Sequence, residues 1–151
     1  MHKRQILEVG QEFETDTITL SKGDILEFAA EFDPQPYHLE TAAAEASIFG
    51  GLCASGWQVA ALMSRLVSDT FRKHSVAILG IQTIPSLQWK IPVFAGDSLC
   101  ATVVIADCKK DAGLLVCDIR VKNQHRKVAL VLSMTLRIGS QSTAESNGST
   151  G

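Results

Sequence analysis

This chain lacks an excess of charge of either sign. Fourteen Lys and Arg stand against sixteen Asp and Glu, for a formal net charge of -2. That balance gives no electrostatic case for nucleic acid or for an anionic membrane surface. A thin basic cluster, Lys109-Lys110, reads as solvated surface. A metal-binding cysteine pattern is also missing. Cys53, Cys100, Cys108 and Cys117 form no CxxC, and no His/Cys cluster has zinc spacing. They read as free thiols in a reducing compartment, and nothing near them in sequence would activate a thiolate. The first ten residues, MHKRQILEVG, carry charge but no apolar h-region. No signal peptide and a cytoplasmic location are therefore expected. One uncharged run, residues 46–64, approaches membrane-spanning length. Gly50, Gly51, Ser55, Gly56 and Gln58 make it too polar and too broken for a bilayer, which leaves a buried helix with its lead-in.

The 151 residues, 46% hydrophobic and 20% charged, suit one soluble domain with a real core. That domain is expected over 1–138, and the Ser/Thr/Gly-rich stretch 139–151 is expected to be a disordered tail. Residues 11–20 alternate loosely and end in TITL, a strand. Ser21 with Asp24 three residues on resembles a capping box and predicts a helix over 22–31, stopped by Pro34 and Pro36. Thr41 is placed to cap a second helix over 42–48. Ser55 is placed to cap a longer one, in which Trp57, Val59, Ala60, Ala61, Leu62, Met63, Leu66 and Val67 cover nearly every face. A helix apolar all round is buried.

The second half changes period. Residues 78–92 are β-rich, with Pro85 marking a bulge or an edge. Leu99, Ala101, Val103 and Ile105 then form one apolar face, and Leu115, Cys117, Ile119 and Val121 a second. The third is Val128, Leu130, Leu132, Met134, Leu136 and Ile138. Alternation of this kind predicts long antiparallel strands, each with one buried face. Periodicity alone gives α+β with an antiparallel sheet. A curved sheet wrapped around the buried helix, the hotdog arrangement, is the inference that covers that helix on all sides.

Two short stretches carry the candidate chemistry. In FDPQPYHLE, Asp33 and His38 lie five residues apart on a segment stiffened by two prolines. Acid/base catalysis needs two such groups held within reach of one reacting atom or water. The residues fit a helix-ending turn equally well when taken alone. In LCASGWQ, Gly56 opens the long helix, where free N–H groups and the positive end of the helix dipole point outward. That suits an enolate oxygen on a thioester, and it also suits a plain cap.

The run FAAEFDPQPYHLE followed by GGLCASGWQ, eighteen positions from His38 to Gly56, resembles the MaoC-like dehydratases, which include the (R)-specific enoyl-CoA hydratases. WKIPVFAGDSL, residues 89–99, is similar to the family's segment leading into the next strand. The resemblance covers about residues 10–138 and implies a hotdog fold. It implies Asp33 and His38 as the acid/base pair, Gly56 as the thioester oxyanion donor, and Gln35, Tyr37, Ser55, Trp57 and Ser64 as substrate-binding residues. The chain departs from the family pattern twice: Gln35 replaces the usual Asn, and Ser55 stands where many members carry His. The implied reaction is hydration of a trans-2-enoyl-CoA, or the reverse dehydration of an (R)-3-hydroxyacyl thioester. It needs no metal or cofactor, with the CoA or acyl carrier protein thioester as substrate. A hotdog thioesterase and a non-catalytic acyl-thioester-binding subunit are the alternatives; the intact Asp33/His38 pair argues against the second. The resemblance further implies a homodimer or a dimer of dimers. Lys90, Arg126 and Lys127 could meet CoA phosphates or be plain surface.

Overall fold

The computed structural model describes residues 7–139, so nearly all of the expected tail lies outside the described residues. Five strands form one antiparallel sheet: β1 (Glu12–Thr19), β2 (Ile78–Trp89), β3 (Ser98–Lys109), β4 (Leu114–Lys122) and β5 (Val128–Ile138). Their spatial order is β1-β3-β4-β5-β2. Four helices, α1 (Lys22–Phe32), α2 (Pro36–Leu39), α3 (Thr41–Ala46) and α4 (Gly56–Lys73), lie between β1 and β2 in the chain. Helix α4 touches β3 and also β1 and β2, the two edges of the sheet, so the sheet curves around it. This is the hotdog fold.

The core faces fall where period-two alternation puts them. Ile119 pairs with Val103 on one side and Leu132 on the other, and Cys117 with Ile105 and Met134, so buried side chains stack in rows across β3, β4 and β5. Against these rows α4 lays Val59, Met63, Leu66, Val67 and Phe71. Phe71 meets Phe13 of β1 edge to face, with ring centroids 5.8 Å apart. Each fully buried side chain of this kind stabilises the fold by about 1.5–3 kcal/mol.

The capping box at Ser21 forms: its hydroxyl accepts from Asp24 N–H at 3.0 Å, and the Asp24 carboxylate accepts from Ser21 N–H at 3.1 Å. Gln58 Nε2 donates to the Asp24 carbonyl at 3.0 Å, which ties α1 to the first turn of α4. Pro85 sits inside a register shift of β2 against β5, and β2 is an edge strand.

Three expectations need adjusting. The all-round apolar pattern of α4 does not mean all-round cover within one chain, since Trp57 is 61% exposed and Ala61 is exposed as well. The second predicted helix begins at Thr41 and ends at Ala46, with Glu40 rather than Thr41 at its cap. The proline-rich stretch is not loop throughout. Pro36 takes the first position of the one-turn helix α2, where its missing N–H costs nothing. No helix of the described residues is long and apolar enough to cross a membrane.

Candidate active site

Three chain segments meet at the mouth of α4. Pro34 ends α1, leaving Asp33 as its C-cap with the backbone N–H bonded to the Ala29 carbonyl at 2.9 Å. Helix α2 then turns His38 inward until it is 5% exposed. The segment leading into α4 is held from the far side, where Ala54 N–H donates to the Val93 carbonyl at 2.8 Å and Cys53 bridges to Phe94.

His38 Nδ1 lies 2.7 Å from the Cys53 carbonyl oxygen. A carbonyl can only accept, so Nδ1 carries a proton and Nε2 is the nitrogen left for chemistry. Nε2 stands 3.4 Å from Asp33 Oδ2. The same Oδ2 accepts a hydrogen bond from the Ser55 hydroxyl at 2.7 Å. Asp33 Oδ1 has no hydrogen-bond partner among the described residues.

The first turn of α4 is capped selectively. Ser55 Oγ accepts from Trp57 N–H at 3.2 Å, and the Ser55 carbonyl accepts from Gln58 N–H at 3.0 Å and Val59 N–H at 3.2 Å. The Gly56 N–H alone of this group has no acceptor among the described residues. Its carbonyl is also engaged from outside the helix, by the Trp89 indole N–H at 2.8 Å. A Cβ on Gly56 would lie 2.8 Å from Trp89 Nε1 and 2.9 Å from Cε2, so the indole has closed onto the glycine as no larger residue would permit.

Asp33, His38 and Gly56 all line one cavity of about 380 Å³. Tyr37 and Phe49 belong to its wall, with the Tyr37 ring centroid 4.4 Å from that of His38 in an edge-on contact and 5.2 Å from that of Phe49. Trp57, Trp89, Ile91, Pro92 and Val93 line it as well. Of the expected site residues, Tyr37 and Trp57 therefore reach the cavity with the three central ones. Gln35 is exposed and does not line it, and neither does Ser64. Ser55 is 0% exposed and lies behind the wall, with its hydroxyl engaged as both donor and acceptor. Lys90 lines the cavity, whereas Arg126 and Lys127 are exposed in the β4–β5 turn.

Cys53 and Trp89 were missed as site residues. Trp89 could have been singled out, because it opens the WKIPVFAGDSL segment. Cys53 invites a thiol-nucleophile reading, as its Sγ is 3.8 Å from His38 Nδ1. Burial pushes that thiol up from its ordinary value, and Nδ1 is committed to the carbonyl of the same residue. The thiol stays protonated and is no nucleophile. All four cysteines are free.

The fold and site define a hotdog domain with a paired carboxylate and imidazole facing an open helix-start amide. The chain belongs to the family of MaoC-like domains, whose model matches residues 5–127. It is 32% identical over 120 residues to the uncharacterized protein YdeM of Bacillus subtilis, covering 77% of this chain and 84% of that protein. It is 29% identical over 127 residues to the (R)-specific enoyl-CoA hydratase of Aeromonas caviae, covering 83% and 91%. Among solved structures, the MaoC-like dehydratase from Rhodospirillum rubrum matches with a TM-score of 0.73 at 30% identity, covering 87% of this chain and 92% of that one.

Proposed function

We propose that this chain adds water across the double bond of a trans-2-enoyl thioester, or removes it from the 3-hydroxyacyl thioester. One observation carries the reading: Asp33 and His38 Nε2, 3.4 Å apart, face the same cavity as an unused Gly56 N–H. The likeness to the Aeromonas caviae enzyme points the same way.

In the mechanism we infer, the thioester carbonyl oxygen accepts the Gly56 N–H, which draws electron density from the β-carbon. Asp33 is ionised, His38 is protonated at Nε2, and both bind one water. Asp33 takes a proton from the water as its oxygen bonds to the β-carbon. The negative charge moves to the thioester oxygen against Gly56. His38 Nε2–H then protonates the α-carbon from the same face. When the product leaves, the proton on Asp33 passes to Nε2 through the incoming water that both groups bind, and the product carries the elements of one water. The two groups act as a unit on one water.

Following the enoyl-thioester absorbance with crotonyl-CoA tests the proposal. Loss of the band without free thiol is the expected result. Thiol release instead would make the protein a thioesterase, and no change across a panel of enoyl-CoA chain lengths would end the proposal.

We further infer a homodimer built on β2. That edge strand carries Leu79, Ile81 and Ile84 at 69%, 55% and 39% exposed, an apolar edge that a lone soluble chain would pair or blunt. Sedimentation of the parent chain is expected to give twice the chain mass, and Ile81→Lys to return it to the monomer. A parent chain that sediments as a monomer overturns this assembly.

A further inference from the structure

We propose that Ser55 is a positioning residue for the reaction, one that selects which oxygen of Asp33 meets the water. The inference rests on the hydration reading above. The Ser55 side chain has no contact with the cavity, so a role in binding substrate is closed to it. Its hydroxyl instead spans two elements, accepting from Trp57 N–H at 3.2 Å in α4 and donating to Asp33 Oδ2 at 2.7 Å at the end of α1.

Asp33 has little else to fix its side chain. It is the C-cap of its helix, with φ -152° and ψ 69°, and the side chain is 22% exposed. A carboxylate in that place would rotate freely toward solvent. With Oδ2 bonded to Ser55 and faced by His38 Nε2, Oδ1 is the oxygen left without a protein partner. The same bond holds the carboxylate beside the positive end of the 18-residue helix α4, next to the open Gly56 N–H. Base and oxyanion donor are therefore referenced to one residue: Ser55 fixes the carboxylate, and its capping of Trp57 leaves the neighbouring amide as the open one.

The test uses three variants of the full chain with crotonyl-CoA. Ser55→Ala removes the hydroxyl and also the cap. Ser55→Gly removes the hydroxyl while keeping most of the capping preference, so helix α4 keeps nearly all of its stability. Ser55→Thr keeps both the hydroxyl and the cap. Loss of one hydrogen bond to a charged group predicts a fall in kcat of about 10- to 100-fold for Ala and Gly alike. KM is expected to stay within about twofold, and Thr to restore kcat to within a few-fold of the parent. A merely structural serine would lower the melting temperature of Ser55→Ala and leave the kcat of Ser55→Gly untouched; that result overturns the proposal. A loss carried by KM overturns it as well, because it would put Ser55 on the substrate. In both cases Asp33→Asn would still lose about 10²–10⁴-fold in kcat and the acid/base reading would stand. A parent chain that hydrates no enoyl-CoA removes both.

Discussion

Asp33→Asn is expected to lower kcat for enoyl-thioester hydration by about 10²–10⁴-fold, the usual contribution of one positioned acid or base. The substitution is nearly isosteric. Its amide oxygen can still accept the Ser55 hydroxyl, so the contact between α1 and α4 survives and the cavity keeps its walls. What disappears is the ability to take a proton from water. His38→Ala is expected to cost as much in rate, but it is the less clean variant. It empties a buried site and leaves the Cys53 carbonyl without its donor, so some loss of stability accompanies it. The double variant separates the two interpretations of such losses. If Asp33 and His38 act on one water, removing both should cost little more than removing either. Losses that multiply would mean two independent roles. Parent rates in both single variants would remove the acid/base pair altogether.

How far the sequence alone reaches is clearest at this site. The faces of β3, β4 and β5 were legible because side chains alternate strictly along a strand, and a buried face writes itself into every second residue. The Ser21 capping box and the Ser55 cap were legible because capping is local chemistry. The pairing of Asp33 with His38 was readable only where the short, proline-stiffened spacing was joined to the family resemblance, since the spacing alone fits a helix-ending turn equally well. Other features depend on contacts that no local pattern encodes. Helix α2 has four residues, too few to hold itself together, and is anchored by the tertiary bond from His38 to Cys53. Ser55 read as a cap, and its second bond to Asp33, 22 residues away, left no mark in the sequence around it. Gln35 and Ser64 match family positions, yet the cavity of this one chain does not reach them. Hydrophobicity alone put Trp57 in the apolar pattern of α4, and only the family resemblance put it at the site, where its ring stands beside Trp89 at the cavity wall, with centroids 5.5 Å apart.

Gly56 supports the second large effect, and two substitutions together isolate it. Gly56→Ala keeps the N–H but adds a Cβ that meets the Trp89 indole at 2.8 Å. The ring is 44% exposed and can swing outward, at the cost of its bond to the Gly56 carbonyl. Gly56→Pro brings the same collision and also removes the N–H. The helix itself tolerates proline there, because Gly56 is the first residue of α4 and Ser55, at φ -55° and ψ 139°, already has the extended backbone that a following proline requires. Both variants therefore pay for a displaced Trp89, and they differ in the amide hydrogen and in the ring Cδ that proline sets in its place. If that hydrogen holds the enolate oxygen, kcat should fall about 10²–10³-fold further in Gly56→Pro than in Gly56→Ala, the range found when one oxyanion donor is deleted. Equal kcat values in the two folded variants would show that the thioester oxygen finds its charge partner elsewhere. The carboxylate–imidazole pair would then work without the helix start, and the selective capping of α4 would be left without a catalytic reason.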